Sequence, residues 1–413
     1  MARNLLLLRL ICAFFVLKLI SSENSVTLQL LDKSEYLKRP KVKYHLYDPQ
    51  LFLMYKECLP RLHRPSYASL KFNIFTHCLD INFVESIIAL NESVDPSEAT
   101  LFIIPVFYNQ ATLPSFPCHY HENEIRLIAQ MYEVLHSLGH YKAGVRNHFL
   151  MADHWAAGVS SSWTNFSYEP ELIVGRFEHP TLSPLVSSWS ALDASQFIAV
   201  GYSTKLGVSR QCPKEQAKRK AILPLSDRKY LASFTGGLWL NDDERSTPYR
   251  TQLYFASHNQ TLPNDVYISV YKKGEPFSST NPRANGHDVI GNSLLCLSIA
   301  GDTPTTDRIW VAFEHLTLIG VLSVERERLL PLLPFSKRVP WDEMIVWIDT
   351  DAFLRDPVDA MRSTALALSD SEKERRVNLM NKHRRDVLWA YEESVAVLNV
   401  LEEANSLVKV LRS

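Results

Sequence analysis

Gly291-Asn292-Ser293-Leu294-Leu295-Cys296-Leu297-Ser298-Ile299-Ala300-Gly301-Asp302 runs into Thr303-Pro304-Thr305-Thr306-Asp307-Arg308, and Gly320-Val321-Leu322-Ser323-Val324 follows. Leu294 to Ile299 is a short apolar run bounded by polar residues and Gly. From 308 to 318, Val311, His315 and Leu318 recur beside Ile309, Phe313 and Leu316 at helical spacing. The pattern predicts strand, tight loop, helix, strand. A parallel βαβ unit of this kind sets its loop and helix N-terminus at the carboxyl end of the sheet, where backbone N–H groups and the helix dipole attract phosphate oxygens. These residues are therefore a candidate diphosphate site.

Apolar runs elsewhere extend the pattern. Leu101 to Val106 and Phe149 to Met151 read as strands of a first unit, and 122–138 as a helix with Ile125, Ile128, Tyr132, Leu135 and Leu138 on one face. Leu231 to Phe234 opens a second unit, continued by Val266 to Val270, Leu294 to Ile299, Val321 to Val324 and Met344 to Ile348. Alternating strands and helices predict an α/β chain with two facing, doubly wound Rossmann-like domains. The expected divisions are a signal-anchor or signal peptide over 1–22, a stem over 23–40, an N-terminal domain over 41–225, a C-terminal domain over 226–356, and helices over 357–413. Beyond Pro357 glycine disappears, and Val387, Leu388, Tyr391, Val395, Leu398 and Leu401 carry a helical apolar face.

With 46% hydrophobic and 11% aromatic residues the 413-residue chain can bury ordinary cores. Its 45 acidic and 44 basic residues nearly cancel, which argues against a nucleic-acid partner. Leu5 to Ile20 is apolar apart from Arg9 and Lys18, short of the roughly 20 apolar residues of a full span unless those two side chains snorkel. Either an anchor or a cleaved signal sends the rest of the chain into the secretory pathway. Three acceptor sequons, at Asn91, Asn165 and Asn259, agree with lumenal exposure. Of six cysteines, Cys12 lies in the apolar segment and Cys296 in a strand pattern typical of a buried thiol. Cys58, Cys78, Cys118 and Cys212 leave disulfide connectivity open.

The same blocks resemble the exostosin-like glycosyltransferases, glycosyltransferase family 47. The matching positions are Ser293, Cys296-Leu297, Gly301-Asp302, Thr306, Arg308, Glu314, Gly320, Val324, Leu333-Pro334-Phe335 and Trp341-Asp342. Val321, Ser323 and Leu295 depart from the family's Cys, Pro and Phe. Upstream, Tyr44 to Pro49, Asp95 to Tyr108, Asn147 to Trp155 and Arg228 to Gly237 resemble further family blocks in family order, the third with His and Asp inverted. The resemblance implies a fold of the GT-B type and a hexosyl- or pentosyltransferase that uses a nucleotide sugar, a uridine diphosphate sugar, and a glycan or polysaccharide acceptor. It implies inversion at the anomeric carbon without an obligatory cofactor or metal. It also implies a single-pass type II protein of the Golgi membrane, with the endoplasmic reticulum or secretion as alternatives, and a possible hetero- or homodimer with another glycosyltransferase.

Such a transfer needs a cradle for the leaving diphosphate, recognition of the nucleoside, and a base. Arg308 beside Gly301, Asp302 and Thr306 is the expected diphosphate contact, since its fork suits bidentate phosphate binding. Gly236 and Gly237 are expected to admit phosphates to the backbone, with Arg250 assisting. Glu314, six residues after Arg308, is the expected ribose acceptor. Asp153 and His154, following an apolar strand, are the candidate bases. Two other readings remain: a metal-dependent enzyme holding its ion on Asp349 and Asp351, and a catalytically silent lumenal partner, which Val321 and Ser323 would fit. Cys118-His119-Tyr120-His121 lacks a second ligand pair at zinc spacing and reads as a loop.

Overall fold

The computed structural model describes residues 39, 41–62, 79–108, 124–152, 171–176, 196–201, 222–238, 247–259, 261–272, 286–301, 305–389 and 394–410. The expected anchor at 1–22 and all of the stem except Arg39 lie outside them. Among the described residues no helix is long and apolar enough to cross a membrane.

The first unit contains β1 (Tyr44–Leu46), α1 (Leu53–Leu62), α2 (Leu79–Leu90), β2 (Leu101–Ile104), α3 (Glu124–Ser137), β3 (Val145–Arg146), β4 (His148–Met151), β5 (Leu172–Arg176) and β6 (Phe197–Ala199). Its sheet is parallel throughout, in the order β1-β2-β4-β5-β6. Every residue of β2, β4 and β5 is buried, as expected for strands covered on both faces. On α3, Leu127, Ile128, Met131 and Leu135 form the buried stripe. At the amino end of β4 the buried His148 is held by Tyr47 Oη at 2.7 Å and by Asn147 Oδ1 at 2.7 Å. Burial, and then the nearby His140, push its pKa down to about 3.

The second unit runs through β7 (Tyr230–Leu238), α4 (Thr247–Asn259), β8 (Val266–Lys272), α5 (Gly286–Gly291), β9 (Ser293–Leu297), α6 (Asp307–His315), β10 (Leu318–Leu322) and β11 (Ile345–Ile348). This sheet is also wholly parallel, but its order is β11-β10-β9-β7-β8. The chain first steps from β7 outward to β8 and then returns past β7 to β9. With right-handed crossovers, that reversal sends α4 to one face and α5 and α6 to the other. The packing agrees: α5 lies against α6, whereas α4 packs on helices that follow β11.

Those are α7 (Thr350–Arg355) and α8 (Pro357–Ala367). The chain then continues into α9 (Asp370–Val387), which packs on α6, and α10 (Ala396–Ser406), which packs on α2 and β6. It ends in β12 (Lys409–Val410), antiparallel to β3. The C-terminal segment thus spans from the second unit back to the first. Its helix starts are set locally: Asp356 accepts from the backbone N–H of Val358 and Asp359 with Pro357 behind it, and Ser369 accepts from Glu372.

Candidate active site

Where strand order reverses in a parallel sheet, the loops leaving neighbouring strands diverge to opposite faces and open a crevice at the carboxyl end. In this chain the reversal lies between β7 and β9, and helices from the two faces each send one arginine into it. Arg250, in the first turn of α4 and buried, donates from Nε to Ala300 O at 2.8 Å, from Nη2 to Ile299 O at 3.1 Å, and from Nη1 to Gly237 O. It stitches the carboxyl ends of β7 and β9 together and forms the crevice floor. Arg308, in the first turn of α6, reaches back over β7. Its Nε donates to Thr235 O at 2.6 Å and its guanidinium lies 5.0 Å from the centre of the Phe234 ring. Its Nη atoms make no hydrogen bond among the described residues; Nη1 stands 4.0 Å from Asp307 Oδ1.

Two glycines are shaped to these arginines. A Cβ at Gly301 would come within 2.9 Å of Arg250 Nη2, and one at Gly236 would run into Arg308 Nη2 and within 2.9 Å of Phe234 Cζ. The N-terminus of α6 is capped by Thr306, whose hydroxyl accepts from the Arg308 N–H at 3.2 Å and lies 3.2 Å from Ser298 Oγ. The carboxyl end of the first sheet comes up to this region. Gly201, two residues beyond β6 and at φ +69°, faces Trp310 of α6, to which a Cβ there would be 3.4 Å distant. Trp389 Nε1 donates to Val200 O at 3.3 Å. An apolar interdomain contact thus flanks the crevice.

No protein-family model matches the chain, and no curated protein matches it in sequence. Among solved structures, WaaG, a glycosyltransferase involved in lipopolysaccharide biosynthesis, is 10% identical over 88% of this chain and 99% of its own, at a TM-score of 0.36. A glycosyltransferase from Rickettsia africae is 5% identical over 82% and 83%, at 0.34. Sucrose-phosphate synthase from Thermosynechococcus elongatus is 12% identical over 72% and 84%, at 0.31. Likenesses this distant carry no argument; the parallel sheets and the strand reversal stand on this structure alone.

The remaining expected residues fall in several places. Gly236 and Gly237 lie inside β7, paired with Val270 and Tyr271 of β8, and form no phosphate turn; Gly236 lacks a side chain because Arg308 occupies that space. Glu314 is away from Arg308, because six residues carry the chain about 600° round a helix, a third of a turn off register. It is buried in the last turn of α6, with Oε2 3.7 Å from His287 Nδ1 of α5. His287, Glu314 and His315 bring ligand-type atoms within 4.8 Å of one another. Burial, then His287 and Arg228, push the His315 pKa down to about 4.

Asp349 is the N-cap of α7, accepting from the Ala352 N–H at 2.6 Å, and Asp351 is exposed. Asn91, at φ 49°, and Asn259 are exposed. Asp153, His154, Asp302, Asn165, Cys118 and His121 lie outside the described residues, although buried Met151 and Ala152 lead the carboxyl end of β4 directly toward Asp153. Cys58 is disulfide-bonded, and Cys296 is a buried free thiol whose pKa burial pushes up to about 12.

Sequence reasoning missed three features. Arg228 clamps the amino end of the second sheet, donating to Leu223 O, Ser293 O, His315 O, Leu316 O and Thr317 Oγ1. Arg176 is buried at the carboxyl end of β5, 5.9 Å from the centre of the Phe197 ring. His287 completes the group around Glu314. Arg228 opens the block over 228–237, but nothing in the block gives its role as a clamp; no local pattern marks His287, and Arg176 carries the signal of a charge closing an otherwise apolar strand.

Proposed function

We propose that this chain is a glycosyltransferase that takes a nucleotide sugar, a uridine diphosphate sugar, in the crevice between β7 and β9 and transfers the sugar to a glycan acceptor. The observation that carries this reading is Arg308: its Nε is fixed on Thr235 O, while its two Nη groups make no hydrogen bond among the described residues at the point of strand reversal. A guanidinium so held offers a fork to two phosphate oxygens. The α6 N-terminus adds partial positive charge on the same side. As the bond between the anomeric carbon and the diphosphate oxygen breaks, negative charge gathers on the leaving group, and donors already in place stabilise it without reorganising.

The acceptor hydroxyl attacks the anomeric carbon from the opposite face and its proton goes to a base, for which Asp153 and His154 beyond β4 are our candidates. A single displacement of this kind inverts the anomeric centre. The ordered exostosin-like blocks support the family reading. The disulfide at Cys58 and the exposed sequons at Asn91 and Asn259 support a lumenal, Golgi-type compartment with residues 1–22 as the anchor. Asp349 is used as a helix cap, so the reading of Asp349 and Asp351 as a metal pair is not adopted.

Screening the purified protein against a panel of nucleotide sugars identifies the donor. With that donor, Arg308→Ala is expected to lower kcat by about 10²–10³-fold with the fold intact by circular dichroism. Full retained activity would remove Arg308 from the site.

A further inference from the structure

We infer that His287, Glu314 and His315 form a binding site for a divalent metal ion of the zinc class, one that pins α5 to α6 at a distance from the diphosphate crevice. The three residues come from two helices packed side by side, and their nearest ligand-type atoms all lie within 4.8 Å of one another, with His287 Nδ1 and Glu314 Oε2 at 3.7 Å. Zinc bonds of about 2.0–2.1 Å in tetrahedral geometry bring ligand atoms to about 3.3 Å of each other, so closure asks for side-chain movements of roughly 1 Å.

The surrounding backbone is arranged for this approach. Gly291 lies one turn beyond His287 on the same face of α5, and a Cβ there would stand 2.8 Å from His315 Nδ1. The glycine lets the His315 ring lie on α5. Helix α6 stops immediately afterwards at Leu316, in the left-handed conformation at φ 51°. His315 Nε2 is buried and has no hydrogen-bond partner among the described residues. An orphaned polar atom of this kind is costly, and a metal bonded at Nε2 would relieve it.

Two imidazole nitrogens and one carboxylate oxygen select a borderline cation over calcium or magnesium, which prefer all-oxygen shells. Three protein ligands leave a fourth position to solvent. The charge balance is workable. Arg228 and Arg384 stand near His315 and oppose a cation, but they donate to backbone carbonyls, those of His315 and Leu316 from Arg228 and that of Glu314 from Arg384 among them. Asp288 and the Glu314 carboxylate offset them. The same Arg228 bonds put His315 at the amino end of the sheet, whereas Arg308 works at the carboxyl end, so the ion has a structural part and no place in the transfer step. This inference stands apart from the donor reading.

The test uses the full chain, dialysed against metal-free buffer and titrated with zinc(II) against a chromophoric competitor and with cobalt(II) followed by its visible d–d absorption. The expected result is one ion per chain, the intense band of four-coordinate cobalt, and a higher thermal midpoint when loaded. Glu314→Gln and His287→Gln, each close to the natural shape, should each weaken binding by at least about 100-fold. Asp351→Asn should leave it unchanged. Absence of stoichiometric binding by the natural chain, binding as tight as the natural chain's in either ligand variant, or loss of binding in Asp351→Asn would overturn the site.

Discussion

The two sheets are built from the same kind of strand and differ in one respect that decides where chemistry can occur. Along the first, the described strands follow chain order, β1-β2-β4-β5-β6, with no reversal of the kind that opens a crevice. Along the second, the order β11-β10-β9-β7-β8 reverses at β7, and Arg250 and Arg308 arrive at the gap from opposite faces. Polar burial differs as well. The first sheet buries His148, a neutral side chain satisfied by Tyr47 and Asn147, and Arg176 beside the Phe197 ring at the end of β5. In the second, Arg228 and Arg250 donate to backbone carbonyls at its two ends, holding the strands around the crevice in register. One sheet is a wall; the other is a vice with an opening.

The hardest blow to this contrast should come from Arg228→Ala, which strands the carbonyls of Leu223, Ser293, His315 and Leu316 at the amino end of the second sheet. Burial alone already pushes the Arg228 pKa down to about 10, a sign of how little water reaches it. Urea denaturation should show a loss of about 3–5 kcal/mol; a loss under 1 kcal/mol would mean that the clamp is incidental.

Next come two strand glycines, one per sheet. A Cβ at Gly175 of β5 would meet Phe149 Cζ at 2.8 Å and Met151 Sδ at 3.0 Å, whereas at Gly236 it meets Arg308. Both Gly→Ala changes should cost about 1–3 kcal/mol by overpacking. Only Gly236→Ala should also weaken nucleotide binding, and equal binding losses in the two variants would erase the distinction between the sheets.

A smaller effect separates the buried histidine from the buried arginines. His148 stays neutral when folded down to about pH 3, whereas the unfolded chain takes up its proton near 6.5. Its contribution is therefore complete above pH 6.5 and is lost as pH falls toward 3, by up to about 1.4 kcal/mol per pH unit. Stability curves of the natural chain and His148→Gln between pH 7 and pH 5 should differ in slope accordingly; parallel curves would show that His148 is protonated in place. Smallest of all, Asp351→Asn on the solvent face of α7 should move stability by less than about 0.5 kcal/mol and leave transfer turnover as it was, as measured by melting and steady-state assay.

Local periodicity made the decisive elements readable. The run Leu294 to Ile299 and the helix start at Arg308 fall within two residues of β9 and of the start of α6, because each carries its own apolar repeat and Thr306 supplies a cap; the helix expected to reach Leu318 stops at His315, and the strand expected over Val321 to Val324 runs instead over Leu318–Leu322, since the continuous apolar run hides the boundary between them. The reversal of strand order is a pairing across tens of residues and leaves no local mark. For that reason Gly236–Gly237 read as a place where phosphates approach the backbone when they are a strand with an arginine laid across it, and Arg250 read as a phosphate ligand although its recorded donors go to carbonyls. Glu314 departs from its expected place for a geometric reason: six residues make a third of a turn less than two full turns, and that shortfall carries the carboxylate to His287.

Calorimetric titration of uridine diphosphate into the natural chain and into Arg308→Ala puts the central claim to its most direct trial. The account predicts saturable one-to-one binding by the natural chain, weakened about 10–100-fold when the charged fork is removed. Failure of the natural chain to bind, or equal affinity in the variant, would contradict it.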